Sequence, residues 1–178
     1  NATNSIITNH HLLNQVKINP IIFPAIICFQ NLIKQLPNFS LLFLFVILSG
    51  YEMNMNWIFF PIVFVLQFNL IFIASSICAL SVIYIRDLTQ LIPMLLTFLM
   101  FISGIFYGYE QIPEKYQSIF LINPLAFLIQ TYRNIFLGIS DIDLNYLLIL
   151  FFISILIIVF IFKIFNIIGM KVTKKLSE

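Results

Sequence analysis

The sequence predicts an all-α, polytopic membrane fold, and three features carry that prediction. Of its 178 residues 61% are hydrophobic and only 9% charged, with a mean hydropathy of +1.05. A soluble domain carries about 25% charged residues, so a water-exposed surface cannot be built from this composition. The apolar residues also come in long unbroken runs instead of alternating with polar ones, which selects helical spans over a β-barrel. Finally, four of the runs are long enough to be read as crossings of a hydrocarbon core of about 30 Å.

Residues 1–20 are polar, with Ile6, Leu12, Leu13, Val16 and Ile18 interspersed. The spacing of Ile6, Asn9, Leu13 and Val16 fits a short amphipathic or interfacial helix that ends before Asn19-Pro20. The adjacent His10 and His11 point about 100° apart on such a helix, which is unsuited to holding a metal jointly. The chain begins at Asn1 in place of Met, and further N-terminal sequence is expected to precede it.

The first span is predicted over 22–50. Asn31, Lys34, Gln35 and Asn38 recur at three- and four-residue intervals, so they form one polar stripe. A stripe of this kind either lines a pathway or faces a partner subunit, or else Asn31 and Lys34 reach the headgroups. Pro37 is expected to kink the helix. The second span is predicted over 57–84, with Trp57 and Tyr84 at its ends, where amphipathic aromatics favour the interface. Mid-span Gln67 and Asn69 are candidates for hydrogen bonds between helices, and Ala74, Ser75, Ser76 and Ala79 permit close packing. Cys28 and Cys78 lie in apolar runs and read as small hydrophobes.

Arg86-Asp87 makes a very short loop, so the third span, 91–108, is the antiparallel neighbour of the second. Gly104-x-x-x-Gly108 at its end is a weak dimerisation signal and reads better as room for the following segment to approach. That segment, 113–138, is apolar yet broken at Asn123-Pro124. Proline lacks an N–H and disfavours helix before it, so one helix ends and another begins there. Pro124 suits the first helical position, Asn123 the N-cap, and Gly138 the left-handed C-terminal residue. Pieces of about 10 and 14 residues span roughly 15 and 21 Å, too short to cross. A re-entrant helical hairpin results, of the kind tolerated at membrane depth only where protein or a water-filled cavity satisfies the backbone. The last span is predicted over 144–168, followed by a tail with Lys171, Lys174 and Lys175.

Placing the N-terminus, the Arg86 loop and the tail together puts most lysines and arginines on one side, which the positive-inside rule makes cytoplasmic. The opposite side is acidic, with Glu52, Glu110, Glu114, Asp141 and Asp143, and the hairpin lies in its leaflet. A net charge of +2 without a basic stripe offers nothing to nucleic acid. No phosphate-binding glycine loop, zinc motif or serine–histidine–aspartate set is present. No metal site is expected. Pro113 between Glu110 and Glu114 spoils a shared helix face for the two carboxylates. Because no Asp or Glu lies within a predicted span, a gradient-driven carrier is disfavoured and an energising partner is expected.

The order of motifs then matters: Arg86-Asp87, a third span, Ile112-Pro113, Asn123-Pro124-Leu125, Arg133 nine residues past the proline, and a last span with a lysine-rich end. It resembles that of the type-2 ABC exporter permeases, in particular the branch that moves O-antigen, capsule or teichoic acid chains. The resemblance implies a permease subunit without catalytic residues, residing in the cytoplasmic membrane. Two copies pair in the lipid bilayer above two ABC ATPase subunits, which bind the ATP and Mg, and a lipid-linked glycan is exported. It further implies that residues 1–20 hold the coupling helix, with Ile6, Asn9, Leu13 and Val16 as contacts, and that Asn123, Pro124 and Arg133 belong to an extracytoplasmic gate. Arg86 and Asp87 lie in the cytoplasmic loop after the fourth helix of that family. Its members have six spans, so the first two are expected outside these residues. Asn31, Lys34 and Asn38, with Phe106, Tyr107 and Tyr109 beside the hairpin, are the candidates for a substrate pathway, since sugars pack well on aromatic faces. The competing readings are a permease for drugs or small amphiphiles, or an integral-membrane acyltransferase relying on His10 or His11.

Overall fold

The computed structural model describes residue 5 and residues 19–51 and 54–177, with side chains up to Ile167 and excepting that of Glu110. The coupling residues Ile6, Asn9, Leu13 and Val16 lie outside the described residues. Among those described, the secondary structure is entirely helical.

Helix α1 runs Ile22–Leu48. Asn19 opens it, its Oδ1 accepting from the Ile21 N–H at 3.2 Å, and Pro24 falls in the first turn where no N–H is needed. The helix continues through Pro37 and stops at Ser49-Gly50, where Gly50 takes φ +79°. A 3-10 turn, Met55–Phe59, carries Trp57 and leads into α2, Phe60–Tyr84. This helix has no single apolar face, as suits an element packed on several sides. It packs against α1, α3 (Leu88–Ile102), α5 (Pro124–Leu137) and α6 (Leu144–Ser177). Val63, Leu66, Ala79 and Val82 are fully covered as a result. One apolar cluster joins Phe72, Ile73, Ala79 and Ile83 to Cys28 and Phe165. The other joins Val63 and Leu66 to Phe127, Ile135, Phe136 and Leu147.

Between the clusters Gln67 and Asn69 of α2 make bonds to neighbouring helices, as expected of them, and Ser75 makes a third. Asn69 Nδ2 donates to Ser154 Oγ of α6 at 3.1 Å within the core. Tyr132 of α5 donates its hydroxyl to Gln67 Oε1 at 2.6 Å. Ser75 Oγ lies 2.9 Å from Cys28 Sγ on α1, which accounts for one cysteine as a packing residue. In lipid such bonds average about 0.6 kcal/mol, so they set register more than they set stability.

Three helices are long and apolar enough to cross a membrane: Ile22–Leu48, Met55–Tyr84 and Leu144–Ile167. The expected third crossing, 91–108, takes a different form. Its helix starts at Leu88 and ends at Ile102, 15 residues or about 22 Å, short of a hydrocarbon core of about 30 Å. The apolar run continues to Phe106, but the helix breaks at Gly104, whose φ is +72°. The Gly104–Gly108 pair is therefore not one helix face. None of the residues of α3 is buried.

Candidate functional site

The broken segment is two helices, α4 (Glu114–Ile122) and α5 (Pro124–Leu137). The local rules that predict the break are visible in it. Asn123 caps α5, its Oδ1 accepting from the Leu125 N–H at 3.0 Å, one of the donors a new helix leaves open. At the far end Gly138 takes φ +65° and its N–H bonds the Asn134 carbonyl at 3.1 Å. A Cβ on Gly138 would push the Asn54 amide aside, and the left-handed conformation requires glycine there. Glu114 starts α4 beyond Pro113, while Glu110 sits in the separate 3-10 turn Tyr109–Gln111; the two do not share a helix.

The hairpin is held at its apex from two sides. Tyr146 of α6 donates its hydroxyl to the Ile122 carbonyl at 3.2 Å, satisfying the end of α4. Its ring stands edge-on to Phe127 with centroids 4.7 Å apart. Asn123 Nδ2 reaches Ser103 Oγ at 3.4 Å. Asp143 in turn fixes the start of α6, its Oδ1 accepting from the Tyr146 N–H at 3.1 Å. This N-cap role was available from sequence, as Asp before an apolar helical run is a start signal.

Arg133 forms the densest polar feature. Its Nη1 donates to the Tyr107 carbonyl at 2.8 Å, and its Nη2 to those of Gly104 and Ile105 at 3.0 Å each. These carbonyls belong to the elbow, residues 103–108, through which the chain leaves α3. Above the elbow, Phe120 of α4 closes on Gly104: a Cβ there would lie 2.6 Å from Phe120 Cζ. The glycine thus gives room for the hairpin, as the sequence suggests, though by ending a helix instead of lying along one.

Beside the hairpin, α1, α2, α3 and α5 border an open cleft of about 720 Å³. Its lining is almost wholly apolar, with Gln67, Ser103, Tyr132 and Arg133 as the polar exceptions. Of the residues proposed for a pathway, none of Asn31, Lys34, Asn38, Phe106, Tyr107 and Tyr109 lines it. Asn31 borders a small crevice with Gln35 and Gln67, and Lys34 and Asn38 lie exposed along α1. Phe106 is exposed, while Tyr107 bonds the Ile102 carbonyl through its hydroxyl at 3.3 Å. Arg86 and Asp87 are exposed in the turn between α2 and α3, which their main chains close by accepting from Thr89 at 3.1 Å and Gln90 at 3.0 Å. The aromatic rings concentrate elsewhere, around Phe39, Phe43, Phe60, Tyr132 and Phe136, which pack on one another edge-on, tilted or stacked. Sequence reasoning did not single out Tyr132 or Ser103, because nothing in their immediate neighbours signals a long-range partner.

Comparison with known proteins adds the family. The profile of the ABC-2 type transporter family matches residues 1–137. The O-antigen export system permease protein RfbA of Klebsiella pneumoniae is 26% identical over 171 residues, covering 93% of this chain and 65% of that protein. A second protein of the same description from that organism is 25% identical over the same extent. The inner membrane transport permease YadH of Escherichia coli K12 is 28% identical over 89 residues, 50% of this chain and 35% of its own.

Proposed function

The chain belongs to the ABC-2 type transporter family, and on that premise we propose that it is the permease part of an ATP-driven exporter. Its cargo in this reading is a lipid-linked cell-surface polysaccharide of the O-antigen, capsule or teichoic acid kind. The observation that carries the proposal is the similarity to O-antigen export permeases along 93% of this chain. That similarity extends into the last helix, whereas the family profile takes in the hairpin and ends at residue 137.

Two permeases pair, and a dimer of ABC ATPases with ATP and Mg docks on the cytoplasmic side, against residues 1–20. Both ends of this segment face the cytoplasm. The short α3, extended by its elbow, makes the third of four crossings. The hairpin α4–α5 dips into the outer leaflet as a gate, its broken backbone capped by Asn123 and Tyr146 and that of the adjoining elbow by Arg133, as such a broken element requires. Glycan emerges between the two copies when ATP closes the ATPases.

Co-expression of the gene for this chain with a neighbouring ATPase gene, followed by purification through a tag on the permease, tests this. The ATPase is expected to co-purify, and Ile6→Asp with Val16→Asp to abolish stimulation of its hydrolysis. A membrane protein that purifies with no nucleotide-binding partner would overturn the proposal.

A further inference from the structure

Arg133 sits in a setting that a charged gate residue does not need. Among the described residues all of its hydrogen bonds go to main-chain carbonyls, those of Gly104, Ile105 and Tyr107. These carbonyls belong to the non-helical elbow beyond Ile102, where no ladder supplies donors, and in apolar surroundings each must find one. A guanidinium presents several N–H groups in a rigid planar fork and can serve three carbonyls together; an ammonium is a point donor on a flexible stem. Two further contacts tie the hairpin to the same elbow: Phe120 of α4 closes over Gly104, and Asn123 at the apex bonds Ser103 at 3.4 Å. Both helices of the hairpin and its apex therefore grip the one elbow. None of the residues of α3 is buried, so these contacts hold its end where core packing does not.

We propose that Arg133 is a positioning residue whose guanidinium geometry, and not its charge alone, clamps α5 to the end of α3, so that α3 and the hairpin move as one body. The movement rests on the exporter reading; the clamp does not.

Two measurements separate them. In the full chain in lipid nanodiscs, hydrogen exchange is followed for wild type, Arg133→Lys and Arg133→Ala. Both variants are expected to speed exchange of residues 103–112 by about tenfold or more, with the α2–α6 core around Leu66 and Ser154 unmoved. Wild-type protection in Arg133→Lys would overturn the clamp, because charge would then suffice. Should the variants fail to fold, the otherwise native chain decides. Spin labels at Phe98→Cys and Ile119→Cys, compared with Leu156→Cys, report distances in complex with the ATPase with and without ATP. The clamp predicts that the distance from α3 to the hairpin stays fixed while distances to α6 change. A change between α3 and the hairpin would overturn it. If no ATPase binds, the exporter reading fails and the exchange experiment still judges the clamp.

Discussion

Gly104→Ala is the substitution whose cost the structure specifies best. Gly104 has φ +72°, and an L-residue in that region costs roughly 1–2 kcal/mol. The added methyl would lie 2.6 Å from Phe120 Cζ and 3.3 Å from its Cε2, so the ring must swing off its rotamer at a cost of about 0.5–1.5 kcal/mol. The two terms give a destabilisation of about 1.5–3.5 kcal/mol. They are separable, because only the second involves Phe120. Phe120→Leu alone loses the ring contact with Tyr107, whose centroid is 5.9 Å away, and costs about 1 kcal/mol. In the double variant the steric term disappears while the backbone term stays, so the cycle should return a favourable coupling of about 0.5–1.5 kcal/mol. SDS-induced unfolding of the purified chain in mixed micelles, followed by circular dichroism, measures all four proteins. A Gly104→Ala variant within about 0.5 kcal/mol of wild type, or a strictly additive cycle, would refute the geometry of the elbow.

Other outcomes follow from single contacts. Asn69→Ala should lose the bond to Ser154 at a cost of about 0.6–1.7 kcal/mol in the same unfolding assay, the range seen for such bonds in lipid. Asn123→Ala should cost about 1 kcal/mol through the lost cap on Leu125, and should raise exchange at the start of α5 while leaving α4 protected. Tyr132→Phe removes the bond to Gln67 but keeps the ring among Phe39, Phe60 and Phe136. The expected loss is therefore only about 0.5–1.5 kcal/mol, with insertion into membranes unchanged on fractionation.

The parts of the fold readable from sequence are those governed by neighbours along the chain. Asn123-Pro124 announces a helix end and a new start within two residues, and Gly138 a left-handed stop, because each rule acts over a turn or less. Gln67, Asn69, Ser75 and Cys28 could be assigned to packing because a polar group deep in an apolar run has few alternatives. The end of α3 was not readable in this way. Hydropathy stays high through Phe106, and one glycine in an apolar run does not distinguish a close approach from a break. The partners of Arg133 lie 26 to 29 residues away and are carbonyls, which every sequence offers equally. For the same reason the aromatic content signals neither pathway nor core by itself; the contacts show Phe43, Phe60 and Phe136 spent on one another.

The central claim is that this chain carries a lipid-linked glycan across the membrane at the expense of ATP. Reconstitution of the permease with its ATPase in liposomes loaded with lipid-linked glycan tests it most directly, with a membrane-impermeant glycosidase on the side opposite the ATPases as reporter. The account predicts that the glycan becomes accessible to the enzyme only with hydrolysable ATP, and that Arg133→Lys slows its appearance. ATP hydrolysis that never exposes the glycan, or exposure that proceeds without ATP, would contradict it.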